Sequence, residues 1–223
     1  MTPRSLEVLY PFLGAGRADD GTPLADRTLL ADATRSTEAK IREATELRAR
    51  VGRESAGALL ECARAMAASF AAGGTLLAFG NGGSATDVQA VVQLFLHPPY
   101  GGALPALGLS SDVAVMTALS NDVGFDVVFA RQLAALARPH DIALGISTSG
   151  GSVNVLRAFD EGARRGLLTV GLAGSGGGRM AESSAIRHLF VVPSASVHRI
   201  QETQTTLYHV LWELVQAVLE ARS

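Results

Sequence analysis

Apolar residues along this chain change their spacing near residue 73, and that change predicts the fold. Before it the rhythm is helical. From Arg27 to Val51 good helix formers mix with charge (AKIREATELRARV), which predicts a solvated or bundled helix. A second helical stretch, Glu54 to Ala72, repeats Leu59, Cys62, Met66 and Phe70 at helical spacing and stops at Gly73-Gly74. Beyond it short apolar runs occupy 75–79, 106–109, 141–146, 167–172 and 188–192. Continuous rather than alternating apolarity suits strands covered on both faces of a parallel sheet. Helical segments separate these runs at 84–96, 112–137 with a break near Asn121, 152–165, 178–183 and 197–221. Strand alternating with helix predicts an α/β fold, a doubly wound, Rossmann-like parallel sheet with helices on both sides. Residues 1–27 mix Pro, Gly and Asp with a short apolar patch (Leu9, Tyr10, Phe12, Leu13). They are read as an N-terminal extension that is loosely ordered or docks on a partner subunit, leaving one domain at 28–223.

Composition narrows the chemistry. With 48% hydrophobic and 18% charged residues, the 223-residue chain can bury a substantial core. Its net charge of −2 lacks the basic excess on which phosphate-backbone binding rests, so direct nucleic-acid binding is not expected. No apolar run is long enough to span a bilayer, and the opening MTPRSLEVLYPFLGAG lacks a signal-peptide core, so a cytoplasmic location is expected. The single cysteine, Cys62, excludes an intrachain disulfide and reads as a small buried side chain. The single lysine, Lys40, lies on a polar helical stretch, which leaves Schiff-base chemistry and a P-loop without a candidate.

Two strand-to-helix junctions carry the chemistry. The first holds Gly80, Asn81, Gly82, Gly83 and Ser84; the second holds Ser147, Thr148, Ser149, Gly150, Gly151 and Ser152. Glycines let backbone approach a ligand closely, hydroxyls add short donors, and the free amides of the next helix favour an anion. These features describe a lysine-free cradle for a phosphorylated small molecule. Ser84 and Ser152 acting only as N-caps is the competing reading. The second loop speaks against it, because four hydroxyls in six positions exceed what capping needs. The first loop fits only a loose Gly-x-Gly pattern, and no acidic residue ends the next strand to hold a ribose.

GNGGS-A-x-D, LSNDVGF, GISTSGGS-x-NV and HRIQE, in this order, resemble the SIS (sugar isomerase) domain family. Within it the chain is similar to phosphoheptose isomerases and to the SIS protein that associates with the bacterial replication initiator DnaA. The resemblance spans about residues 30–221. It implies a five-stranded parallel sheet, a homotetramer with sites where subunits meet, and a phosphorylated sugar as ligand. By the same resemblance Asn81, Gly82, Gly83 and Ser84 bind substrate, and Ser147, Thr148, Ser149 and Ser152 hold its phosphate. Asn121 and Asp122 would meet sugar hydroxyls, with Gln201 and His209 completing the site from the last helix. Eight residues separate those two, just over two helical turns, so both project from one face.

The helix after the first loop departs from the family. The pattern S-A-x-D-A-Q-H-F-A-x-E-L carries a zinc-binding His and a Glu that binds zinc and transfers a proton, whereas Ala90 and Leu94 occupy those positions here. With only Gln201 and His209 left of four ligand positions, zinc is not expected and no other cofactor is called for. His97 lies one turn onward, but Pro98-Pro99 end the helix there. His209 first and Glu202 second are the candidate catalytic groups for a metal-independent aldose–ketose isomerisation of a sugar phosphate resembling sedoheptulose 7-phosphate. The alternative is a regulatory or scaffold SIS protein that binds the sugar phosphate without turning it over.

Overall fold

The computed structural model describes residues 26–222; the extension read from residues 1–27 lies outside them except for its last two positions. The first helix, α1 (Asp26–Ala71), is a single 46-residue rod rather than two helices. Gly52, where a break was expected, is exposed and has nothing within 4 Å of where a Cβ would stand. A lone glycine there costs the helix only about 1 kcal/mol. The buried stripe Leu47, Val51, Leu59, Cys62, Met66 and Phe70 runs straight past it and holds the two parts in one helix. Contacts divide the chain after Glu43, and everything below concerns the unit from Ala44 onward.

Next come β1 (Leu76–Gly80), α2 (Gly83–Leu96), β2 (Ala106–Gly108), α3 (Val113–Asp122), a 3-10 turn (Phe125–Val127) and α4 (Val128–Leu136). The chain continues through β3 (Ile142–Ser147), α5 (Val153–Arg164), β4 (Leu168–Gly174), a second 3-10 turn (Gly178–Glu182), β5 (His188–Val192) and α6 (Val197–Glu220). The break near Asn121 falls at Val123 and Gly124, where Gly124 adopts φ 112, a conformation that favours glycine. All five strands are parallel, in the order β2-β1-β3-β4-β5.

Strand residues alternate between two apolar layers. Leu76, Ala78, Ile142, Leu144, Val170 and Leu172 pack against α1, α2 and α6. Leu77, Phe79, Ala143 and Ala173 face the other way, against α4 and α5. Covering both faces explains why the strands read as unbroken apolar runs. Cys62 is fully buried in the first layer, and burial pushes its thiol up to about 12. It behaves as a core side chain, not a nucleophile.

The topology decides where a ligand goes. From β1 the chain steps to β2 on one side, then returns to place β3 on the other. The connections after β1 and β3 therefore part at their carboxyl ends, the place where open α/β sheets receive ligands. Gly80 pairs with Ile146 in the ladder, so the two glycine- and serine-rich loops start level with each other.

Candidate functional site

Neither helix leaving those loops is capped by a side chain. At α2 the N-cap is Gly82, with φ 54, and at α5 it is Ser152, whose hydroxyl makes no capping bond. Ser84 lies inside α2 and is buried. Ser84 is therefore not an N-cap, and Ser152 holds the N-cap position without a capping bond from its side chain. Ser152 turns instead to Ser147, with 3.1 Å between their hydroxyl oxygens, and Ser147 lies 3.4 Å from that of Ser149. Ser149 in turn accepts from the Gly151 amide at 3.2 Å. Three hydroxyls thus converge at the uncapped N-terminus of α5, where N–H groups and the helix dipole favour an anion.

A further pair ties the loops together. Asn81 Nδ2 donates to Asn154 Oδ1 at 2.8 Å, and Asn154 Nδ2 donates back to Asn81 Oδ1 at 2.9 Å. Asn154 is almost fully buried and went unnoticed as a site residue, although it stands in the GGS-x-N stretch that signalled the second loop. From below, the backbone around Gly177 supports that loop. Gly150 carries φ 63, its carbonyl accepts from the Met180 amide at 2.9 Å, and a Cβ on it would overlap the Gly177 carbonyl.

The final helix brings its residues to the first loop. Gln201 Nε2 donates to Asp87 Oδ2 at 3.1 Å, and its amide lies 2.6 Å from where a Cβ on Gly83 would sit. A side chain on Gly83 would push the Gln201 amide aside. Tyr208 lies near Asp87: its hydroxyl is raised above its usual range by burial and, more weakly, by the Asp87 carboxylate, with the Thr205 hydroxyl opposing. His209 stacks on Tyr208 with ring centroids 5.0 Å apart, and its Nδ1 is 2.8 Å from the Thr205 carbonyl. With Nδ1–H donating to that carbonyl, Nε2 is left as the acceptor. Glu202 forms an ion pair with Arg199 on its own helix. Asn121 and Asp122 end α3, exposed, with Asn121 Nδ2 donating to Asp122 Oδ1 at 2.8 Å and neither bonding to the two loops.

The sequence profile of the SIS domain matches residues 41–174. The phosphoheptose isomerase of Thermodesulfovibrio yellowstonii is 41% identical over 188 residues, covering 82% of this chain and 92% of that protein. That of Desulfovibrio desulfuricans is 44% identical over 184 residues, covering 81% and 86%. Among solved structures, phosphoheptose isomerase GmhA from Neisseria gonorrhoeae superposes with a TM-score of 0.77 at 31% identity, covering 83% of this chain and 99% of that one. This chain belongs to the SIS domain family.

Within this SIS domain the departure in α2 has a physical shape. Ala90 is exposed on the second turn, and Leu94 is half-buried against the apolar layer beneath α1 and α6. Neither carries a donor atom, and among the described residues no group of three or more His, Cys, Asp or Glu side chains gathers as a metal site. Apart from Asp87, no residue of α2 is ionisable. His97 is the C-cap of α2 and is exposed, as the following prolines required. Among the described residues no helix is long and apolar enough to cross a membrane.

Proposed function

We propose that this SIS protein is a phosphosugar isomerase of the phosphoheptose type, interconverting an aldose and a ketose phosphate resembling sedoheptulose 7-phosphate without a metal. The observation that carries the reading is the gathering of the Ser147, Ser149 and Ser152 hydroxyls at the N-terminus of α5, which no side chain caps. A sugar phosphate dianion satisfies all of these donors together. Thr148 and Ser84, which stand in or beside the same two loops, are assigned to the same ligand. Identity near 40% to phosphoheptose isomerases over most of the chain supports the substrate class. The family's zinc does not fit the donor set, since Ala90 and Leu94 offer no ligand and only Gln201 and His209 remain. His209 is the proton donor and acceptor toward the sugar oxygens, its Nε2 free by the tautomer assigned above.

A homotetramer in the cytoplasm completes the proposal. An apolar groove of 390 Å³ between α1 and α6, lined by Val51, Leu59, Leu60, Val210 and Leu214, supports burial of this face in an assembly. Asn121 and Asp122, which the single chain leaves exposed, are assigned to sugar hydroxyls across such a boundary.

The test is direct. Purified protein is incubated with sedoheptulose 7-phosphate, with and without chelator, and product is followed while thermal shift reports binding. Turnover indifferent to chelator is expected. Stabilisation without turnover would instead establish the binding-module reading, which the apolar Leu94 at a proton-transfer position favours. Absence of both would remove the phosphosugar assignment.

Two variants probe the parts. Asn154→Ala leaves the Asn81 amide without its partner and is expected to cost about 1–3 kcal/mol of stability, read by denaturant melts. Weaker stabilisation by the sugar phosphate should accompany it. The double variant Ala90→His with Leu94→Glu is expected to create zinc affinity measurable by equilibrium dialysis, at some loss of stability from the disturbed Leu94 packing. A double variant that binds no zinc would show that α2 does not present these positions to Gln201 and His209.

A further inference from the structure

The geometry points to a second face through which copies of this chain pack, built from the outer edge of β2, α3 and α4, with Asp112 of each copy set against Arg131 of the other. This face extends the homotetramer proposed above, and its assignment rests on that reading. A closed tetramer of dihedral symmetry needs at least two distinct two-fold faces, and the α1–α6 groove supplies one.

The helix α3 locates the other. Its sequence, VAVMTALSND, is mostly apolar, yet it buries no residue. On the same side of the sheet α4 buries Val128, Phe129 and Leu133, and α5 buries Val155, Ala158 and Phe159. Met116 and Leu119 of α3 pack on the layer beneath. In the stretch 107–136 Leu107, Val113, Val115, Val123, Phe125 and Leu136 are left exposed, half of the twelve large apolar side chains so left among the described residues. A groove of 540 Å³ runs between β2, α3 and α4, lined by Leu107, Val115, Leu119 and Leu136. Strand β2 is the outermost of the sheet and pairs only with β1, so no further strand covers Leu107. Apolar surface gathered on one face in this way marks a contact.

The charges choose the occupant. Asp112 and Arg131 line the same groove and are both exposed. Asp112 accepts the Val115 amide at 3.0 Å, and neither residue forms an ion pair among the described residues. A face that carries one charge of each sign is complementary to itself. Two-fold rotation sets each Asp112 against the partner's Arg131, so the pair forms twice. A groove of a single sign would instead repel its own copy. Because α3 ends at Asn121 and Asp122, docking here also sets that exposed pair at a subunit boundary, where the proposed function needs it.

The experiment reads molar mass by light scattering during gel filtration at low salt, where exposed charges are least screened. Wild type is expected at four chains. Arg131→Asp and Asp112→Arg should each halve the mass, because like charges then meet twice across the face. Mixed in equal amounts, the two variants should regain it, since opposite charges again meet wherever one variant faces the other. Val115→Asp, inside the groove, should halve the mass without touching either charge. Asp112→Arg also removes the cap of α3, whereas Arg131→Asp and Val115→Asp change exposed positions that hold no hydrogen bond by their side chains, so these two should fold as wild type does by circular dichroism.

Arg131→Asp and Val115→Asp that both keep the full mass would overturn the assignment. If Leu214→Asp, in the α1–α6 groove, halves the mass in that case, the homo-oligomer reading stands without it. A mixture that stays at half mass would also overturn it. So would a wild type that raises the fluorescence of the apolar dye ANS as much as Arg131→Asp does, since the groove would then be open to an apolar small molecule. A monomeric wild type would overturn both this face and the homotetramer.

Discussion

Replacing Gly150 with alanine is expected to abolish sugar phosphate binding and to destabilise the fold by on the order of 3 kcal/mol. Two independent obstacles combine. The backbone at Gly150 has φ 63, which disfavours any side chain, and a Cβ there would overlap the Gly177 carbonyl. The neighbouring backbone leaves no slack, because a Cβ on Gly178 would lie 2.5 Å from the Ser149 carbonyl oxygen. The loop can accept alanine only by lifting off the 174–180 turn, which breaks the Met180 amide bond to the Gly150 carbonyl and swings Ser149 away from Ser147. Thermal melts and phosphosugar-induced shifts measured on one preparation would check both effects. A variant that melts with wild type and still responds to ligand would show that the hydroxyl cluster does not depend on this loop conformation.

The second large effect lies beneath the same loop. Phe159 of α5 is fully buried, packs edge-on to Phe79 with ring centroids 5.3 Å apart, and presses against β3 where a Cβ on Gly145 would stand 2.5 Å from its ring. Phe159→Ala empties that space and is expected to cost about 3–5 kcal/mol. Against a total stability of about 5–15 kcal/mol for a typical domain, that is a severe loss. Denaturant unfolding should show a lower midpoint with little change in slope. Because β3 and α5 frame the loop at 147–152, ligand-induced stabilisation should also fall under the proposed function. A loss under about 1 kcal/mol would mean that the neighbouring rings collapse into the gap.

Strands β1, β3 and β4 were legible because both faces are buried, which leaves an uninterrupted apolar signature that no surface helix shares. The two loops were legible for a related reason: glycine and hydroxyl residues crowd a strand end only where backbone must turn and meet something polar. Long-range partnerships were not. Asn81 and Asn154 are 73 positions apart, and Asp87 and Gln201 are 114 apart, so nothing local announces either pair. Asp87 in particular looked like part of a motif; only its contact with α6 sets it apart from an ordinary exposed helix acid. The continuity of α1 was hidden by Gly52, whose local penalty is outweighed by a packing stripe that must be summed over many turns. Ser84 and Ser152 show the opposite case. Their positions suit capping, and only the placement of Ser147 reveals that Ser152 has a different partner.

The reversal of strand order at β1 also affects how the protein would respond to its ligand. Each half of the cradle is rooted on a different strand, and the strands are joined by the ladder from Leu76 opposite Ile142 to Gly80 opposite Ile146. By the proposed function a sugar phosphate would act as a clasp across that seam, and opening the seam would release it. Amide exchange along β1 and β3 should slow together on ligand addition, and proteolytic fragments ending before residue 147 should have no hold on the sugar phosphate.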